Sequence, residues 1–216
     1  MTNGERSVDF AQLRFDQLPG TAAEAQALRK ILPGVKVLTE AAATERALKQ
    51  VTGPSLLHVA THGFFLPDQQ QSGDNPLLRS GLLLAGANGR HDGAGEDGVL
   101  TALEAAGLDL WGTRLVVLSA CKTAVGDVRN GDGVYGLRRA LVLAGSESQL
   151  MSLWQVSDQA TRDLMVEYYK RLRASESRTE ALRQAQLKMI RSKARSHPFY
   201  WASFIQSGAW KNLEGK

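Results

Sequence analysis

The chain has 216 residues, 43% of them hydrophobic and 22% charged, with a formal net charge of +4. That length carries one domain with a sizeable core, and the composition excludes wholesale disorder. A single cysteine excludes an intrachain disulfide framework. No stretch approaches the roughly 18 apolar residues of a membrane span. The polar opening Met1 to Phe10 has no apolar core of a secretory leader, so cytoplasmic residence is the expected setting.

Residues 1–17 read as a flexible segment, residues 18–210 as the folded domain and residues 211–216 as a tail. Thr21 is placed to cap a helix through Leu32, with Glu24 as its capping-box partner. Val35 to Leu38 is a strand candidate, and a second helix runs from Thr44 toward Gly53-Pro54. Leu56 to Ala60 is short and apolar, the pattern of a buried parallel strand, and ends on Thr61-His62-Gly63. Gly81 to Ala85 is another strand, and Thr101 caps a short helix.

Leu115 to Leu118 is the clearest strand and ends on Ser119-Ala120-Cys121. A helix from about Val134 to Ala144, a strand from Gln149 to Trp154, and helices to Arg173 and from Thr179 to Lys193 follow. Ser157 or Asp158 caps the first of those last two helices. Trp201, Phe204 and Trp210 are spaced as core residues. Strands alternating with helices predict an α/β fold with a mostly parallel sheet.

The basic excess is concentrated between Lys170 and Arg195. Such a run serves a nucleic-acid face or, more commonly, a solvated helix surface. No cofactor is expected, and neither is a metal: His58 and His62 share a strand face without an evident third ligand. The glycine-rich loops lack the Gly-Lys-Ser/Thr ending of a phosphate-binding loop.

In parallel α/β sheets the carboxyl ends of the strands carry the site. His62 and Cys121 each follow such a strand. A thiol needs a base to become a nucleophile, and an imidazole beside it raises its thiolate fraction. The N–H groups of Gly63 and Cys121 are candidate oxyanion donors, glycine permitting close approach of a substrate carbonyl. A lone cysteine or histidine at a strand end also serves packing or structural hydrogen bonding, so spacing alone yields only a candidate pair.

Leu57-His58-Val59-Ala60-Thr61-His62-Gly63 and Leu118-Ser119-Ala120-Cys121-Lys122-Thr123 resemble the two signatures of the CHAT domain. This is the caspase-like domain associated with tetratricopeptide repeats, in the same peptidase clan as caspases and separase. Leu18-Pro19-Gly20-Thr21, Gly131 to Leu137, Ser152 to Asp158 and His197 to Ala202 resemble further segments of the family in the same order.

The resemblance implies a three-layer αβα sandwich, a His62/Cys121 dyad, and hydrolysis of a protein or peptide substrate after a selected P1 residue. It implies Ser119, Trp154 and Asp158 as walls of the S1 pocket, with Asp158 facing a basic P1 side chain or serving as a helix cap. It also implies control by a regulatory protein or repeat region; from the apolar and charge patterns no membrane partner and no direct nucleic-acid role are expected. Ala124 stands where the family often has glycine. The alternative is a catalytically silent interaction domain of the same fold. The loops at 64–80, 86–98 and 122–132 flank the expected cleft and are the candidates for movement.

Overall fold

The structure is a computed structural model that describes residues 15–66, 75–89, 96–119, 121–122, 132–154 and 157–214. Residues 1–14, and within the expected mobile loops residues 67–74, 90–95 and 123–131 (Ala124 among them), lie outside the described residues. In chain order the elements are helix α1 (Pro19–Ile31), helix α2 (Glu45–Lys49), strands β1 (Leu56–Val59), β2 (His62–Phe65), β3 (Ser80–Leu83) and β4 (Val99–Thr101), and helix α3 (Ala102–Ala105). They continue with strands β5 (Leu115–Leu118) and β6 (Cys121–Lys122), helix α4 (Asp132–Leu143), strand β7 (Ser148–Ser152), helices α5 (Asp158–Arg173), α6 (Arg178–Ile190) and α7 (Pro198–Trp201), and strand β8 (Phe204–Gly208).

The main sheet has the order β1-β5-β7-β8. The first three strands are parallel, and β8 runs antiparallel along β7. Along β5, Leu115 and Val117 join the cluster formed with α1, α5 and α6. Val116 and Leu118 join the opposite cluster, with α3 and α4. That alternation is the period of two of a strand buried on both faces. The result is the expected αβα sandwich. Each fully buried Leu or Val contributes about 1.5–3 kcal/mol by leaving water, which is why this apolar run settles at the centre.

A second sheet, β4-β3-β2-β6, carries the chain onward from the first. β2 follows β1 after Ala60-Thr61, and β6 follows β5 after Ser119-Ala120. The pairing survives the corner. Val59 stands opposite Leu118, Ser119 N–H donates to Val59 O at 2.9 Å, and His62 stands opposite Cys121. Both strands advance by the same number of residues, so the register fixed by the β1/β5 core is delivered unchanged to the site.

Some expectations are corrected. Helix α1 begins at Pro19, whose ring presets the first helical turn; Leu18 is the N-cap, and the Thr21 hydroxyl donates to Leu18 O at 2.7 Å instead of capping. Val35 to Leu38 is coil with Val37 and Leu38 exposed, and it pairs with no strand among the described residues. Trp210 is 63% exposed, lying beyond the Gly208 end of β8, whereas Phe204 is in the core. The Thr101 cap is a full capping box with Glu104.

Candidate active site

His62 opens β2 between β3 and β6, opposite Leu83 on one side and Cys121 on the other. Neighbouring strands lie about 4.8 Å apart, so the two backbones run side by side at this point. Gly63 is the next pair along, opposite Leu82 and Lys122, and is buried. The Thr61 hydroxyl donates to Leu83 O across the corner.

The His62 ring has a defined polarity. Its Nε2 lies 2.7 Å from the carbonyl oxygen of Asp16. A carbonyl only accepts, so Nε2 carries the hydrogen and the neutral ring keeps its lone pair on Nδ1. Nδ1 is buried and has no partner among the described residues. Phe15 lies tilted against the ring, centroids 6.1 Å apart.

Below this point runs a buried polar chain. The Ser119 hydroxyl donates to Glu24 Oε2 at 3.2 Å. Glu24 Oε1 faces His58 Nε2 at 3.1 Å, an ionic contact when the ring is charged, off the alignment of a hydrogen bond. His58 Nδ1 meets the Tyr169 hydroxyl at 2.8 Å. Glu24 is only 3% exposed. Burial, with Tyr168 and Glu24 nearby, pushes the Tyr169 phenol well above its ordinary pKa, so it stays a donor. His58 thus has the carboxylate partner that spacing did not reveal. The signal was present: Glu24 stands four residues before the buried Leu28, on the same helix face.

The three S1 candidates are engaged within the fold. Ser119 is buried against Glu24. Trp154 Nε1 donates to Phe199 O at 3.3 Å. Asp158 is exposed and accepts from Gly20 N–H at 3.1 Å. Ser157, not Asp158, is the N-cap of α5, and neither makes a side-chain cap there; Asp158 is the acid of the first turn.

The basic run is largely paired off. Arg171 and Lys188 meet Glu167, Arg183 meets Glu180, and Arg195 meets Asp163. Arg178 is buried against Glu147. A cleft of about 370 Å³ around Arg114, Arg178 and Trp210 opens beside the first residues of β5 and β7, the end of the sheet opposite His62. Among the described residues no cluster of three His, Cys, Asp or Glu side chains is arranged for a metal, and no helix is long and apolar enough to cross a membrane.

A mostly parallel sheet with helices on both faces, in an αβα sandwich, is the architecture of a caspase-like domain. The family model of the CHAT domain matches residues 2–209, and the chain belongs to that family. It is also similar to tetratricopeptide repeat protein 28 of Mus musculus, 37% identical over 115 residues, and to that of Homo sapiens, 35% identical over 111 residues. Each alignment covers 51% of this chain and 4% of the relative, so the chain matches a small part of those proteins.

Proposed function

We propose that this domain is a cysteine endopeptidase with Cys121 as nucleophile and His62 as general base. The observation that supports it is the opposition of His62 and Cys121 in the β2/β6 ladder, since in-register neighbours share a sheet face. His62 Nδ1, the ring's unpartnered lone pair, takes the thiol proton. The thiolate attacks the scissile carbonyl carbon, forming the C–S bond and an oxyanion that we assign to the N–H groups of Gly63 and Cys121. The imidazolium returns its proton to the departing amine. Water, deprotonated by the same ring, then releases the acid product and restores the thiol.

Of the three S1 candidates, Asp158 keeps an exposed carboxylate, and we assign to it a preference for a basic P1 residue. The relatives are named for tetratricopeptide repeats; we infer that such a repeat region, in the same polypeptide or another, controls the site. A cytoplasmic setting completes this reading, in keeping with a single free cysteine. The test is a peptide-library cleavage profile run beside Cys121→Ala. Cleavage after basic residues, lost in that variant, is the expected result; cleavage that persists overturns the mechanism.

A further inference from the structure

We propose that Asn88 is a positioning residue for His62, acting through the backbone of Phe15 and Asp16; the inference rests on the peptidase reading for its effect on rate. Asn88 sits in the turn after β3, where Gly86 has φ +101° and Gly89 N–H closes onto Gly86 O at 2.9 Å. Its carboxamide meets both polar groups of one residue far away in sequence. Phe15 N–H donates to Asn88 Oδ1 at 2.9 Å, and Asn88 Nδ2 donates to Phe15 O at 2.8 Å. The side chain therefore does what a neighbouring strand would do, fixing Phe15 on its donor and its acceptor together.

The next carbonyl along, that of Asp16, is the one His62 Nε2 reaches. Among the described residues no other hydrogen bond holds the backbone of residues 15–17. Phe15 adds an apolar anchor against the small cluster of Phe64, Leu83, Ala87 and Val99. That contact holds the ring of Phe15 in place but does not orient its peptide groups. The direction of the Asp16 carbonyl, and with it the setting of the imidazole, is left to Asn88. A base held by an oriented third group is the general requirement of nucleophilic sites.

Asn88 is exposed, so its replacement spares the core. Asn88→Ala removes both bonds. Asn88→Asp keeps the acceptor for Phe15 N–H but sets a carboxylate oxygen against Phe15 O. Two readouts apply to both variants. The first is the His62 Nε2–H resonance in proton–nitrogen spectra of the Cys121→Ala chain, visible where a hydrogen bond slows exchange with water. The second is peptide cleavage with Cys121 intact.

We expect both substitutions to abolish the resonance, and to lower kcat about 10- to 100-fold with KM within about twofold, the scale of a small misplacement of a reacting group. Persistence of the resonance in both variants overturns the proposal, whatever the rates. Loss of the resonance in a chain whose unsubstituted form never cleaves peptide upholds the positioning and overturns the peptidase reading instead.

Discussion

His62 and Cys121 are register partners on adjacent parallel strands, and the register that pairs them is set in the core below, where His58 stands opposite Val117 and Val59 opposite Leu118. A slip of one residue would exchange the two faces of β5, sending Leu115 and Val117 into the α3/α4 cluster and Val116 and Leu118 into the α1/α5/α6 cluster, each shaped for the other pair. The packing of Leu115 to Leu118 alternately against the two helical layers thus fixes which residue of the second signature meets the histidine.

The first prediction follows from that pairing. Cys121→Ala and His62→Ala are each expected to lower kcat/KM on the order of 1,000-fold or more, and the double variant to lose little beyond either, because the two act as one unit. Thermal melts should show both single variants folded, since the register rests on β1 and β5. Additive losses in the double variant would sink the idea of a coupled pair.

Glu24 carries the second. Removing its carboxylate leaves the Ser119 hydroxyl and His58 Nε2 buried without their partner. Glu24→Ala is expected to cost about 3 kcal/mol in urea unfolding, as broken buried polar networks do. Glu24→Gln keeps an acceptor for Ser119 and should cost less. Tyr169→Phe removes only the hydroxyl facing His58 Nδ1 and should cost about 1 kcal/mol. Equal losses for alanine and glutamine at position 24 would overturn this ranking, showing that the carboxylate's charge matters and that the acceptor kept for Ser119 contributes nothing.

The sequence makes the strand ends visible because a short apolar run stopping at a polar triplet is a local signal. Glu24 was legible in principle, as a charge on the apolar face of α1. The β2 strand was hidden: Gly63-Phe64-Phe65 follows the Ala60-Thr61 corner and looks like the start of a loop. Val35 to Leu38 has strand composition but pairs with no strand among the described residues. Asp16 and Asn88 left no signal, because their roles arise from contacts across 46 and 73 residues of chain, which no local pattern encodes.

Glu45 supplies a pH dependence. Its carboxylate is buried, accepts from Gly98 N–H at 3.1 Å and pairs with Lys49 at 2.7 Å. Burial and the shared proton with Glu96 raise its pKa to about 7, against the pull of Lys49. Burial disfavours the Lys49 charge, but its bonds to Glu45 and Glu96, with Glu104 nearby, raise it overall. Glu96 is lowered by the bonds from Glu45 and Lys49, with Arg46 also contributing.

For Glu45 the folded state holds the proton more tightly than the unfolded chain. Its contribution therefore falls as pH rises from the ordinary carboxylate range through about 7. The Glu96 contribution changes at lower pH, where it weakens on acidification. We expect the unsubstituted chain to lose on the order of 1 kcal/mol relative to Glu45→Gln between about pH 5 and pH 7.5. Parallel stability curves for the two proteins over that window would overturn the assignment.

Gly20 and Asp158 give the last prediction. A Cβ on Gly20 would fall 2.1 Å from the Asp158 Cβ, and Gly20 N–H already donates to Asp158 Oδ2. Glycine is required because α1 begins in direct contact with the start of α5. Gly20→Ala must push the two apart and is expected to cost about 2–3 kcal/mol, overpacking plus a lost bond to a charged acceptor. Asp158→Gly removes the Cβ obstacle together with the acceptor, so the double variant should cost about 1 kcal/mol less than the sum of the singles. Asp158→Ala tests specificity: if Asp158 also meets a basic P1 side chain, this variant lowers kcat/KM for basic P1 peptides alone, whereas a uniform change across P1 residues confines Asp158 to holding α1.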